Sequence, residues 1–171
     1  MKRIAVAFTG PSNSGKTTLI VNISQMLKKY GYKVCIVKHD PKDKAIFDVE
    51  GKDSWKFSQT GADVAVVSPN KTTLFKQSPS SIDEIVTMFG DFDYLLVEGL
   101  KTLPLPRIAV FRGSLDEKYF EMTDAIATDD TIEKESIPKS CVHLDLNNTK
   151  SIVEWIDKNG NKIGYKTIST M

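Results

Sequence analysis

The feature of the sequence that most constrains its fold is a glycine-rich loop between an apolar run and a helix-like stretch. Residues 4–8 are continuously apolar, and the loop that follows reads GPSNSGKTT from Gly10 to Thr18. Beyond the loop, apolar residues recur with helical spacing up to residue 27. Residues 10–17 match G-x-x-x-x-G-K-[ST], so this unit predicts a buried strand, a phosphate-binding loop and a helix, in that order.

The residue types in the loop suit phosphate chemistry. Glycines allow the backbone to wrap an anion and to direct several N–H groups inward, and the helix that starts near Lys16 adds a partial positive charge. We predict that Lys16 binds β- and γ-phosphate oxygens and that the Thr17 hydroxyl coordinates Mg²⁺. The predicted nucleotide-binding residues of the loop are Gly10, Pro11, Ser12, Asn13, Ser14, Gly15, Lys16, Thr17 and Thr18.

The order of the predicted elements indicates an α/β fold. Strand-like and helix-like segments alternate, which predicts a three-layer fold with a mostly parallel sheet of the P-loop NTPase type. The turn SPNK, residues 68–71, predicts a small antiparallel strand pair. Ser54 is expected to cap a short helix, and the residues after 159 are expected to form a turn and then a tail or an edge strand. The length of 171 residues fits a single nucleotide-binding domain over residues 1–171.

Composition and charge exclude several classes of protein. Hydrophobic residues make up 40% and charged residues 26%, which is typical of soluble globular proteins, and the net charge is +1. This charge gives no general attraction to nucleic acid or acidic membranes, and no apolar run approaches the roughly 18 residues of a membrane span. We therefore predict neither a nucleic-acid nor a membrane partner. Cys35 and Cys141 look like apolar strand residues, and a cytoplasmic, reducing location is expected.

Two carboxylates are candidates for catalysis. Glu98 ends an apolar strand-like run, and ligands of open α/β sheets bind at this end of the strands, so we predict it near the phosphates and the metal. Asp48, in the charged loop after the second predicted strand, is predicted to position water or to lie in the outer shell of the metal. Lys16, Asp48 and Glu98 are thus the predicted catalytic residues, with Thr17 and Glu98 at the metal. The functional interpretation of Glu98 is favoured over a solvated carboxylate because it completes the missing half of the loop, whereas Asp48 could equally be a solvated side chain.

Six segments occur in the order GPSNSGKTT, VKHD, FDVEGKDS, TGA, LLVEGLK and PRIAVFR. In this combination, from residue 4 to about residue 130, the chain resembles the MobB family, the adapter proteins of molybdopterin-guanine dinucleotide biosynthesis. The resemblance implies a small phosphate-loop protein that binds GTP and Mg²⁺, hydrolyses GTP weakly and forms a homodimer. It also implies two partners, molybdopterin and the guanylyltransferase that joins molybdopterin to a guanosine monophosphate unit.

The chain departs from the family pattern at two places. Residues 40–42, DPK, stand where family members commonly carry histidines, and the guanine-reading motif Asn-Lys-x-Asp is absent. The segment AIATDD is the nearest equivalent, and it suggests Thr128 and Asp129 as guanine-binding residues. Asp129 could accept the N1–H and exocyclic N–H groups of guanine. Asp129 or Asp130 could equally be an ordinary loop acid.

A small-molecule kinase on the same fold is the alternative function. Such kinases usually carry a lid with several arginines, whereas this chain has three, Arg3, Arg107 and Arg112. At most one or two of them are expected to face a nucleotide. None is expected in or near the loop, and this favours slow hydrolysis. A metal-delivery GTPase is a weaker third hypothesis, because the two cysteines and two histidines form no cluster in the sequence.

Overall fold

The structure, a computed structural model, describes residues 1–164 and 168. The contacts among its residues divide the chain into two units, a larger one of Met1–His39 and Val86–Met171 and a smaller one of Asp40–Ile85. The larger unit contains the glycine-rich loop, Glu98 and Asp129. The smaller unit contains Asp48 and the predicted antiparallel pair.

Nine strands and four α-helices form among the described residues. The strands are β1 (Ile4–Thr9), β2 (Val34–Lys38), β3 (Val64–Ser68), β4 (Lys71–Phe75), β5 (Tyr94–Glu98), β6 (Arg107–Phe111), β7 (Ala125–Thr128), β8 (Val142–Asp145) and β9 (Asn161–Lys162). The helices are α1 (Lys16–Lys29), α2 (Asp53–Ser58), α3 (Ile82–Phe89) and α4 (Thr149–Asn159), with short 3-10 helices at Glu117–Met122 and Lys134–Ser136.

The larger unit is built on a seven-stranded sheet, in which six strands follow the order β2-β5-β1-β6-β7-β8 and the seventh, β9, pairs with β1 off this path. All neighbours along this path pair in parallel. The predicted α/β fold with a mostly parallel sheet is therefore confirmed. A tail or an edge strand was expected after residue 159, and a two-residue strand, β9, does form there, but it pairs antiparallel with Ile4 and Ala5 of the central strand β1 and not with an outer strand. The rest of the predicted tail lies outside the described residues, apart from Ile168.

Apolar clusters cover both faces of this sheet. Side chains alternate between faces along a strand. Val6 and Phe8 of β1 pack in a cluster with apolar residues of α1 and α4. Phe111 of β6 packs on the opposite face with Tyr119, from the 3-10 helix, and Ile126. A parallel sheet covered on both sides needs strands that are apolar throughout, which is why β1 is buried at every position.

The smaller unit contains the β3–β4 hairpin and α2. The two strands pair antiparallel from Val64 opposite Phe75 to Ser68 opposite Lys71, which confirms the pairing expected from SPNK. The expected cap of α2 was wrong by two residues. Lys52 is the N-cap, and Ser54 lies inside the helix, where its hydroxyl donates to Asp48.

Both cysteines are free, but they occupy different environments. Cys35 is buried in β2, as expected, whereas Cys141 is half-buried and precedes β8 rather than forming part of it. Among the described residues, none of the helices has the length and apolar character that a membrane crossing needs.

Candidate functional site

The loop between β1 and α1 has a backbone path that requires glycine at Gly10. That residue has a φ of +132°, and a Cβ there would lie 2.3 Å from the carbonyl oxygen of Val110 in β6. Gly15 is the N-cap of α1 with a φ of 92°, and Asn13 also has a positive φ, of 63°. Left-handed residues in such a loop turn successive N–H groups to one side, which is the geometry of an anion-binding nest.

Lys16 folds back onto this loop. Its Nζ donates hydrogen bonds to the carbonyl oxygens of Gly10 at 3.0 Å and Pro11 at 2.6 Å. Burial lowers the pKa of Lys16, the nearby Glu98 carboxylate opposes this shift, and Lys38 adds to it. The ammonium group is therefore held among acceptors at the mouth of the loop, where phosphate oxygens could replace the two carbonyls.

The strand β5 places Glu98 at the same edge of the sheet. Glu98 lies in register with Phe8 of β1 and Lys38 of β2, so the prediction that its strand lies beside the first strand is confirmed. Its side chain is only 17% exposed, and Oε2 is 3.9 Å from the Nζ of Lys38. Glu98 is thus a shielded carboxylate between two lysines, Lys16 and Lys38, rather than a fully solvated one.

Arg107 fixes the turn that follows Glu98. The residue is 1% exposed. Its guanidinium donates to the carbonyl oxygens of four residues in that turn at 3.1–3.4 Å, namely Gly99, Leu100, Lys101 and Leu103. Because all these contacts are to backbone, Arg107 serves the shape of the loop after β5 and is not directed at a ligand.

Arg112 lies against the phosphate loop, so the expectation that no arginine is near it was wrong. Arg112 follows β6, and a Cβ on Gly15 would lie 3.3 Å from its Nε. The guanidinium lines an open cavity of about 330 Å³ together with Asn13, Gly15, Lys16, Thr17 and Thr18. The sequence separation of nearly a hundred residues hid this contact, and only the order of the parallel strands could have indicated it.

Asp129 and Thr128 lie at the end of β7, two strands from β1. The Oδ2 of Asp129 is 3.2 Å from Arg112 Nε, and Oδ1 accepts hydrogen bonds from the backbone N–H and the hydroxyl of Thr131. The hydrogen bond from Thr131 is the main cause of a lowered pKa at Asp129. The Thr128 hydroxyl lies 2.9 Å from Nε2 of His143.

A second cavity, of about 260 Å³, opens beside these residues. It is lined mainly by polar side chains from the ends of β7 and β8 and the segments that follow them: Thr128, Asp129, Asp130, Ile132, Lys134, His143, Asp145 and Asn147. Asp129 therefore borders this cavity while it contacts an arginine that lines the first one. The two cavities are adjacent parts of one edge of the sheet, the edge where open α/β sheets bind ligands.

Asp48 belongs to the smaller unit. Its Oδ1 accepts hydrogen bonds from the Ser54 hydroxyl at 2.9 Å and from the backbone N–H of Val49 at 2.8 Å. Its Oδ2 is buried and has no hydrogen-bond partner among the described residues. These contacts give Asp48 and Ser54 of the FDVEGKDS segment a structural role, because they close residues 48–54 into a local turn. The larger unit brings together all the other predicted site residues.

The donor groups at the loop fit Mg²⁺. Thr17 offers an exposed hydroxyl and Glu98 a carboxylate, and Mg²⁺ prefers oxygen ligands. Within residues 1–164 and 168, no three His, Cys, Asp or Glu side chains cluster closely enough to hold a metal by themselves. Mg²⁺ usually keeps several waters and takes further ligands from substrate phosphates.

The loop, the helix that follows it and the strand-end residues define a P-loop NTPase-like fold. A family profile described as molybdopterin guanine dinucleotide synthesis protein B, MobB, matches residues 5–129. The chain belongs to the MobB family. The resemblance stated from the sequence segments is thereby confirmed.

Relatives and solved structures agree with this assignment. The chain is 29% identical over 160 residues to the molybdopterin-guanine dinucleotide biosynthesis adapter protein of Haemophilus influenzae, covering 89% of this chain and 86% of that protein. It is 27% identical over 170 residues to the Escherichia coli protein of the same name, covering 90% and 93%. A crystal structure of molybdopterin-guanine biosynthesis protein B superposes with a TM-score of 0.68 at 25% identity, over 90% of this chain and 96% of that one.

Proposed function

We propose that the chain is a GTP-binding adapter with weak GTPase activity in molybdopterin guanine dinucleotide biosynthesis. The observation that carries the nucleotide part is the loop at Gly10–Thr18, where several residues have positive φ angles and the Lys16 ammonium donates to two loop carbonyls. Family membership supports the pathway and the adapter role. A cytoplasmic location follows from such a role.

Mg²⁺ is proposed to accompany the nucleotide. Thr17 and Glu98 would hold it, and the ion would supply positive charge to the phosphates when bound. The residues of the chain have separate tasks. Lys16 would exchange its carbonyl partners for phosphate oxygens, and Lys38 would restrain the Glu98 carboxylate through their 3.9 Å contact.

Guanine preference is the second element of the proposal, and it rests mainly on the family. A site that hydrogen-bonds N1–H and the exocyclic amine leaves acceptors unpaired when adenine enters. Each unpaired group costs about 1–3 kcal/mol. The sequence suggests Asp129 as the acceptor, but in the free chain both its oxygens already have partners in Arg112 and Thr131, so the proposed guanine preference does not depend on this residue.

Calorimetric titration with GTP and with ATP, each with Mg²⁺, tests this preference. We expect GTP to bind at least about tenfold more tightly, which corresponds to roughly 1.4 kcal/mol. ATP binding as tight as that of GTP would contradict guanine recognition and favour the small-molecule kinase. The position of Arg112 keeps that alternative relevant, because the expected shortage of arginines near the loop was an argument against it.

Weak hydrolysis is proposed because the chain offers little to position an attacking water. Fast phosphoryl transfer needs an oriented nucleophile as well as charge on the phosphates. No glutamine follows Glu98 and Gly99, where Leu100 and Lys101 stand instead. Asp48 is the predicted water-positioning acid, and its Oδ1 is engaged by Ser54 and Val49 within its own turn. We therefore expect turnover well below the roughly 1–100 s⁻¹ of kinases.

The proposed partners are the guanylyltransferase of the pathway and molybdopterin. Nucleotide binding would order the charged segment of residues 38–54 and present it to the transferase, as in other nucleotide-ordered segments. A pull-down of the transferase by the chain loaded with GDP, and then with a non-hydrolysable GTP analogue, tests this. We expect stronger capture with the analogue. Equal capture in both states, or none in either, contradicts the switch.

A homodimer is proposed, with the smaller unit as its interface. Apolar side chains of this unit are unusually exposed, with Phe47 at 83% and Val67 at 75%. Contiguous exposed apolar surface commonly marks an interaction site. A second copy of the chain is the expected occupant, because the family resemblance implies dimers. Sedimentation velocity over a concentration series measures the association directly.

A further inference from the structure

Arg112 is the charged residue at the loop to which the proposed function assigns no role. It follows β6, whose Ala109 lies in register with Thr9 at the end of β1. This register brings Arg112 to the first turn of α1, where its guanidinium packs on Gly15 and lines the same cavity as Lys16 and Thr17. The half-exposed side chain, at 48%, is open to a ligand in that cavity.

The orientation of the guanidinium is set by Asp129. The Nε of Arg112 is 3.2 Å from Oδ2 of Asp129, a carboxylate whose side chain is only 11% exposed. Thr131 holds the other oxygen of Asp129 through its N–H and hydroxyl groups. Among the residues that the structure describes, the ion pair with Asp129 is the one polar contact of Arg112, and it uses the Nε atom. The two terminal amino groups are left for a ligand.

We infer that Arg112 is a phosphate-binding residue of the nucleotide site and that Asp129 positions it. The inference rests on the proposed nucleotide-binding function. A guanidinium binds phosphate through paired N–H groups, and such charge-assisted contacts are about twice as strong as neutral ones. Asp129 fixes one edge of the Arg112 guanidinium, so the side chain would lose less conformational entropy when it binds a phosphate.

The position of Arg112 selects the α-phosphate. Lys16 lies on the side of Gly10 and Pro11 and is expected at the β- and γ-phosphates. Arg112 is tied instead to Asp129, which borders the second cavity at the ends of β7 and β8. If the terminal phosphates of a nucleotide lie at Lys16 and its base lies in the second cavity, the phosphate nearest the ribose, the α-phosphate, lies beside Arg112.

If Arg112 binds the α-phosphate, it binds the nucleotide equally well in the ground state and in the transition state. An interaction that is the same before and during the chemical step strengthens binding without raising the rate. GDP and GTP both carry the α-phosphate, so both gain the contact. It also gives Asp129 a role different from guanine recognition, because a carboxylate that positions Arg112 has no effect on the choice between GTP and ATP.

The experiment measures dissociation constants for GTP, GDP and ATP, each with Mg²⁺, in Arg112→Gln, Asp129→Asn and the double variant. Lys150→Gln is the matched control, since it removes one positive charge from the exposed Lys150–Glu154 pair on α4. Single-turnover hydrolysis of bound GTP is measured in the same variants. Arg112→Lys, which keeps the charge, is measured alongside Arg112→Gln, and it carries the test alone if thermal melting shows that Arg112→Gln does not fold.

We expect Arg112→Gln to weaken GDP and GTP by about tenfold or more, and equally, with hydrolysis of bound GTP within about threefold of wild type. Asp129→Asn should weaken both nucleotides less, leave the ratio of GTP to ATP unchanged and add nothing in the double variant. Arg112→Lys should lie between wild type and Arg112→Gln. The control should bind like wild type.

Four results overturn the inference. Wild-type affinity in Arg112→Gln, with nucleotide binding intact, removes Arg112 from the site and leaves the proposed function standing. A loss confined to GTP places the arginine on the γ-phosphate, and a loss of the GTP-to-ATP ratio in Asp129→Asn makes that residue a base reader. A wild-type chain that binds none of the three nucleotides overturns the proposed function and this inference together.

Discussion

The two units of the chain use similar residues in opposite ways. In the larger unit, the β-branched and aromatic residues of β1 and β5 are buried, and those on one face of the sheet pack against α1 and α4. In Asp40–Ile85, all of which the structure describes, Ile82 is the one buried hydrophobic residue. The hairpin β3–β4 nevertheless has the strand formers Val64, Val66 and Val67. Strand propensity alone therefore does not predict burial.

The difference suggests separate tasks for the two units. A two-stranded hairpin is marginally stable unless it packs against something else. The larger unit completes its core within the chain and holds the loop, Glu98 and Arg112 at one edge of its sheet. The smaller unit leaves its apolar side chains uncovered, which fits the proposed interface with a second copy.

Core truncation gives the largest expected contrast between the units. Leu96→Ala in β5 removes a side chain that is 0% exposed, and such changes cost about 2–5 kcal/mol in the free energy of unfolding. Val67→Ala in β3 should change it by less than about 0.5 kcal/mol when the chain is dilute enough to be monomeric. Denaturant unfolding of both variants measures the two effects. Equal losses of unfolding free energy in the two variants would contradict the difference in packing between the two units.

The Glu98→Gln variant tests whether the larger unit supplies the carboxylate of the proposed metal site. The change keeps the shape of the side chain and removes the charge that the Thr17–Glu98 metal site needs. We expect hydrolysis of GTP to fall by about 10–100-fold, the range seen when residues close to a metal are altered. GDP affinity should fall less, because the γ-phosphate charge grows in the transition state. Equal hydrolysis in variant and wild type would show Glu98 to be a bystander.

Val67→Lys tests the proposed role of the smaller unit. A lysine on the exposed side of β3 should weaken self-association by about tenfold or more, since a charge would then be buried in the interface. Val21→Lys on α1 is the matched control, because Val21 is an exposed apolar residue, at 43%, of the larger unit. Sedimentation velocity reads both. A monomeric wild type, or equal association in both variants, argues against this interface.

Ser54→Ala has the smallest expected effect. It removes the hydroxyl that donates to Asp48 at 2.9 Å, and a hydrogen bond of this kind contributes about 1 kcal/mol. We expect faster amide hydrogen exchange around residues 48–54 without a change in GTP affinity. Ser58→Ala is the control, because Ser58 donates to the Trp55 carbonyl within the same helix. Lower GTP affinity in Ser54→Ala alone would extend the site into the smaller unit.

Much of the fold was predictable because its local patterns are strong. The loop motif fixed the order β1, loop and α1, and the apolar run before Glu98 predicted the strand beside β1. β9 was misplaced because two residues carry no periodicity, and its pairing with Ile4 and Ala5 depends on tertiary packing. The cap of α2 was misjudged because the helix already begins at Asp53, and the Ser54 hydroxyl donates to Asp48.

The site was predictable in part for a related reason. Residues within one motif, such as Lys16 and Thr17, can be assigned from spacing, whereas Arg112 reaches Gly15 only through the order of parallel strands. Asp129 was expected at guanine, and its contact with Arg112 could not be inferred without that order. The roles of all the predicted site residues, from the loop at Gly10–Thr18 to Asp48, Glu98, Thr128 and Asp129, stay predictions, as does the single domain over residues 1–171.

Titration of GTP with Mg²⁺ into the wild-type chain and Lys16→Ala tests the central claim most directly, which is that the larger unit binds nucleotide through the loop. Loss of the charge-assisted phosphate contact should weaken binding by about 2–3 kcal/mol or more, roughly 30- to 150-fold, with the melting temperature nearly unchanged. A folded Lys16→Ala variant that binds GTP as tightly as wild type would contradict the claim.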